Sequence, residues 1–150
     1  MFKKTSLILS IILCSSIVFA AKSAKEYVND LSSTDSATLM EAIKWVGTNQ
    51  EKTAVAPLLS IVKSSAIVDA RMEAAVSLGL IEEKSASDEL SEDLLVESNA
   101  NVRYSIVLAI TRLGITSQKA LENIVKAKDQ ETDSIIKDYF SKLEEKLSKK

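Results

Sequence analysis

From about residue 24 to residue 147, apolar side chains recur at intervals of three and four, the spacing that gathers them on one face of an α-helix. Three Gly and one Pro leave these runs almost uninterrupted. Leu39, Met40, Ile43 and Val46 predict a first A helix over about 37–46, capped by Asp35 or Ser36. Leu58, Leu59 and Val62 predict a B helix ending near Lys63, with Pro57 in its first turn, where a missing N–H costs nothing. The plan repeats with Met72, Ala75 and Leu78 on 68–78, then Leu90, Leu94 and Leu95 on 87–96. It repeats again on 101–113 and, after Ser117, with Leu121, Ile124 and Val125. Ile135, Ile136, Tyr139, Phe140, Leu143 and Leu147 form the stripe of a last helix over about 132–147, whose other faces are charged.

The glycines punctuate this pattern. Ala42 to Gly47, Ala74 to Gly79 and Ala109 to Gly114 are phrases of one shape, each with Ala first and an aliphatic residue just before the Gly. Their intervals are 32 and 35 residues, a period that signals stacked repeats. Each Gly is expected to stop its A helix by adopting the left-handed conformation of a C-cap. The fold class expected is all-α: a right-handed α-α superhelix of about three helical hairpins, 34–63, 66–97 and 99–128. A capping helix is expected at each end of the domain, 21–150.

The chain resembles the short HEAT repeats of the subtype first associated with phycobilin lyases. That subtype has a Val-Arg pair opening helix A, a Leu-Gly ending, and Ala followed by Pro-Leu-Leu in helix B. Here Ala70-Arg71 and Val102-Arg103 stand for the pair, Leu78-Gly79 and Leu113-Gly114 for the ending, and Ala54 to Leu59 for helix B. The match spans roughly residues 34–130. Arg71 lies 8 residues before its Gly and Arg103 lies 11 before. Either the third A helix is nearly one turn longer, or Gly114 corresponds to a second glycine that some such repeats carry. The first repeat lacks the Arg. The resemblance implies that Arg71 and Arg103 pair with acids of neighbouring repeats, with Asp69 and Asp129 as candidates, and that the B helices line a concave binding face. Tetratricopeptide and ankyrin signatures are absent.

Composition narrows the function. Lys3 and Lys4, the apolar run Leu7 to Phe19 and the small Ala20 have the layout of a signal peptide, 1–20, too short for a comfortable membrane span. Export is expected, to the periplasm or beyond, with an uncleaved membrane anchor as the alternative. Lipid attachment at Cys14 is disfavoured, because Leu13 precedes it and the apolar run continues past it. Setting the leader aside leaves 17 of the 19 basic residues against 21 acidic ones, which gives no support for nucleic-acid binding. With no His, and no Cys beyond Cys14, the usual bases, nucleophiles and zinc ligands are missing. No phosphate-cradling Gly loop is present. The expectation is a non-enzyme without cofactor or metal that binds a protein or peptide of the cell envelope. A self-associating structural component is the alternative, and a lyase-type enzyme or accessory a remote one.

Two features compete for a site. Asp88, Glu89, Glu92 and Asp93 lie at i, i+1, i+4 and i+5, an acidic strip between the basic B helices that carry Lys52 and Lys63, and Lys119, Lys126 and Lys128. Like charges four apart oppose helix stability, so the strip invites a reason of its own. It reads as a charge-patterned binding groove, as an ordinary solvated face with cross-helix ion pairs, or as a weak cation site. Trp45 stands two before its Gly, where the other phrases have Ser77 and Arg112. It is expected to face outward, covered by the stripe of Tyr27, Val28 and Leu31 or serving as a partner's anchor.

Overall fold

A computed structural model describes residues 22–148, with side chains to residue 145. Among these residues there are eight α-helices and no strand: α1 (Ala24–Asp30), α2 (Ser36–Thr48), α3 (Val55–Ser64), α4 (Val68–Ile81), α5 (Ala86–Val96), α6 (Ala100–Leu113), α7 (Gln118–Gln130) and α8 (Ser134–Ser148). The expected signal peptide, with Cys14, lies outside the described residues, as does the side chain of Leu147. No described helix is long and apolar enough to cross a membrane.

The helices form two rows. The A helices α2, α4, α6 and α8 pack one on the next, while the B helices α3, α5 and α7 form a second row, each against the A helix that follows it. Ile43, Leu58, Leu78, Leu90, Ile106 and Phe140 are fully buried in the core that joins the rows. Local caps agree with the residues that supply them: the Asp35 carboxylate accepts the Thr38 N–H at 2.8 Å, and Ser117 Oγ accepts the Ala120 N–H at 3.0 Å. Two expected core residues are exposed instead, Val125 at 47% and Ile135 at 62%. α7 has a B-row neighbour, α5, on one side, and Ile135 precedes the turn of α8 from which Ile136 enters the core.

The glycines correct the expected register. Gly47 and Gly79 do not stop their helices; both lie inside them, buried, in α2 and α4. Those helices turn over three residues later, at Gln50 (φ 53°) and Glu82 (φ 60°), and α6 does so at Gly114 (φ 86°). Gln50, Glu82 and Gly114 are 32 residues apart, as are Arg71 and Arg103. Gly114 is therefore the helix terminator, the counterpart of Gln50 and Glu82, and Thr111 stands where Gly47 and Gly79 do. The third A helix is not longer, since α4 and α6 each have 14 residues.

Close approach explains the other two glycines. A Cβ on Gly47 would collide with Ser77 Oγ, and one on Gly79 would lie 3.2 Å from Ala109 Cα. Successive A helices thus touch small residue against small residue. Ser77, expected at the surface, is fully buried and donates its hydroxyl to the Ile43 carbonyl at 2.9 Å.

The same register moves Trp45 out of the outward column. Its counterparts are Ser77 and Ala109, which face the preceding A helix, rather than Arg112. Among the described residues α1 alone precedes α2, and between them lies an aromatic stack: Trp45 and Tyr27 are 4.2 Å apart at 9°. Trp45 is half-buried there, and the Tyr27 hydroxyl donates to Glu41 at 3.3 Å. At the other end α8 buries Ile136, Phe140 and Leu143, while Asp138, Ser141, Lys142 and Glu145 are exposed.

Candidate functional site

Two arginine clamps fix the ends of the B helices. In α4, Arg71 donates from Nε and Nη2 to the two carboxylate oxygens of Glu97, at 2.9 and 3.2 Å, and from Nη1 to the Ser65 carbonyl at 2.8 Å. In α6, Arg103 repeats this with Glu131 at 2.8 and 2.9 Å and with the Glu97 carbonyl at 3.3 Å, and adds the Ser98 carbonyl at 2.8 Å. Each guanidinium joins the C-cap of the preceding B helix to the C-cap glutamate of the following one. Asp69 and Asp129, the acids considered from sequence, are exposed and are not the partners. The planar fork suits a carboxylate held on both oxygens, which lysine's point charge does not reproduce. In α2 the equivalent position holds Leu39, which is buried.

The clamps set the titration of their acids. The Arg103 hydrogen bond, together with the Asp133 and Thr132 N–H groups, outweighs burial and holds the Glu131 carboxyl at about 2. At Glu97 burial pushes upward, but the Arg71 hydrogen bond and the Asn99 N–H prevail, and the net displacement is downward.

Above this frame, the four acids of α5 have separate fates. Asp88 Oδ1 accepts the hydroxyls of Ser117 and Thr116, at 2.9 and 3.0 Å, which pins the loop before α7. Glu92 pairs with Lys119 of α7, and Glu89 is exposed. Asp93 is buried, at 8% exposure. The continuous exposed strip is therefore reduced to Glu89 and Glu92. On α7, Lys119, Glu122 and Lys126 are exposed at i, i+3 and i+7, so an acid interrupts the basic stripe. Lys52 reaches Glu83 at 3.5 Å. Beneath these charges Asn123 donates to Ser91 at 3.1 Å, a buried bond between α5 and α7. Trp45 belongs to the A row and does not join the B-row residues. Among the described residues no group of three His, Cys, Asp or Glu is disposed to hold a metal ion.

Sequence reasoning missed the setting of Asp93. It lines a cleft of about 220 Å³ between α3 and α5, with Val62, Lys63, Ser65, Arg71, Val96 and Glu97 among its walls. Burial, with Glu89, Glu92 and Glu97 nearby, pushes the Asp93 carboxyl up to about 6 against the pull of Lys63. One signal was available: four residues before the B-helix C-caps Ser65, Glu97 and Glu131 stand Ile61, Asp93 and Ala127, equally buried and otherwise apolar. No protein-family model matches the chain, and no curated protein matches it.

Proposed function

We propose that the mature chain is a non-catalytic, exported interaction module, a HEAT-like right-handed superhelix of three helical hairpins that binds a protein or peptide of the cell envelope along its B helices. The observation that carries this reading is the exposed pair Glu89 and Glu92 beside Lys119 and Lys126, on helices whose ends are fixed by the arginine clamps. A surface held in place before binding loses little freedom when it binds, which favours affinity. The 32-residue register of Arg71 and Arg103 supports the repeat family, and the layout of residues 1–20 supports export to the periplasm or beyond. The alternative, a self-associating envelope component, calls for an apolar end to the stack. The exposed polar residues of α8 support the interaction module over it.

The test is crosslinking and pull-down from the envelope fraction with the double variant Glu89→Lys, Glu92→Lys. Both side chains are exposed, so the fold should tolerate the change. Capture of the wild-type partner should fall by roughly tenfold. Lys44→Glu on the A row should leave it intact. Equal recovery by the double variant would return Glu89 and Glu92 to an ordinary solvated face.

A further inference from the structure

The cleft between α3 and α5 combines three features that the scaffold does not require. Its carboxylate, Asp93, occupies a column that is apolar in the other B helices. No hydrogen bond to that carboxylate is made by any described residue, although the residue is 92% buried. Arg71 directs three N–H groups to Glu97 and the Ser65 carbonyl, the Ser64 hydroxyl donates to the Ser60 carbonyl at 2.8 Å, and neither the Lys63 ammonium nor the Ser65 and Ser98 hydroxyls, which also line the cleft, donate to Asp93. Its oxygens reach the water of the open cleft, so a ligand that brings its own donors takes the place of that water.

Charge and shape narrow that group. Facing Asp93 are Glu89, Glu92 and Glu97 on its own helix and its C-cap, with Arg71 from α4 and Lys63 from α3. Glu97 and Arg71 offset one another, as do Glu92 and Lys119, which leaves Asp93 and Glu89 against Lys63. Lys63 stands exposed at the rim and forms no ion pair with Asp93. Beside the carboxylate, Val62 and Val96 supply an apolar wall, and Val96, at 81% exposure, is the most exposed large apolar residue described. A cation with several donors on an aliphatic stem meets each of these features: the head satisfies Asp93 and the stem covers Val96.

We infer that this cleft is a binding subsite for a primary ammonium group on an aliphatic stem, the end of a lysine side chain, with Asp93 as its counter-ion. The assignment rests on the interaction-module reading and names one contact by which the B row would recognise its partner. Glu97 does not compete for the head, because both of its oxygens are engaged by Arg71 and the Asn99 N–H.

The experiment is a titration of the full mature chain followed by NMR, reading the Asp93 carboxyl carbon and the amides of 96–98. The probes are lysine capped at both ends, n-butylammonium, capped norleucine and capped arginine. Capped lysine and n-butylammonium should give saturable shifts confined to the cleft, in the millimolar range expected of a single contact. Capped norleucine should give none, and arginine should bind more weakly. Asp93→Asn should weaken capped-lysine binding by at least roughly tenfold, while Asp138→Asn, at an exposed position of α8, should retain it. Lys63→Gln should strengthen it by removing a competing cation.

A pentalysine peptide binding more than about tenfold tighter than n-butylammonium assigns the head group to a partner's lysine. Equal affinity assigns it to a free amine. Absence of saturable shifts, shifts that persist in Asp93→Asn, or preference for norleucine or arginine would overturn the subsite. None of these results bears on capture through Glu89 and Glu92, so failure here and failure of the interaction reading are told apart.

Discussion

At the scale of single residues, one residue type performs two different tasks. Gly114 provides a backbone conformation, and Gly47 provides space. Gly47→Ala adds a methyl group 2.9 Å from the Ser77 backbone as well as against its side chain. The cost should be about 1–3 kcal/mol, as for other overpacked sites. Gly79→Ala meets Ala109 at 3.2 Å and regains about 1 kcal/mol of helix propensity, so thermal unfolding should find it close to wild type. Asp93 provides a second test at this scale. Its folded pKa of about 6 lies above the usual 3.8, so the folded state holds the extra proton and stability falls as pH rises from about 4 to 6. Asp93→Asn should therefore stabilise the protein at pH 7.5, by about 1 kcal/mol after allowance for the open cleft, and bring no gain at pH 3.5. A gain of equal size at both pH values would contradict the burial of a charged carboxylate. The helix stop at Gly114 was legible in the local pattern; the close approach at Gly47 and Gly79 and the burial of Asp93 were not. A glycine after an aliphatic residue resembles a helix stop whether or not the chain turns there. Asp93 resembles one more polar residue until α5 is seen to be covered by α3 on one side and α7 on the other.

Among the elements, the B-helix ends depend on the clamps. Arg103→Lys retains the charge but loses the fork that holds Glu131 by both oxygens, so it should destabilise nearly as much as Arg103→Ala. Glu131→Gln should cost about 3 kcal/mol at pH 7, the scale of a broken buried pair. The sign follows from a folded pKa of about 2 against the usual 4.5. Stabilisation is complete above 4.5 and is lost as pH falls toward 2, so the variant and wild type should converge in acid. Denaturant melts of both proteins at pH 7 and at pH 3 would check this. The arginines were legible because they repeat at 32 residues. Their partners lie 26 and 28 residues onward, at the ends of other helices, where no periodicity within one helix points. The helices themselves were readable almost throughout, since Gly and Pro scarcely interrupt the apolar stripes. Their ends were less so, because Gln50 and Glu82 take the left-handed turn that glycine was expected to supply.

For the whole molecule, the two rows divide the work. Gly47 against Ser77 and Gly79 against Ala109 draw the A row together, and α1 and α8 cover its two ends. The B row keeps exposed charge and the Asp93 cleft on elements that the clamps hold in place. Division into rows makes the functional claim directional: a partner should meet the B helices and leave the A helices free. Site-specific photocrosslinking in intact cells tests this directly, with the photoreactive residue placed at Glu89, Glu92 or Lys126 on the B row, or at Lys44 or Val76 on the A row. All five positions are exposed, so accessibility does not favour either side. One shared crosslinked partner is expected from the B-row positions and none of it from the A row. The same partner captured in equal yield from Lys44 and Val76 would contradict it.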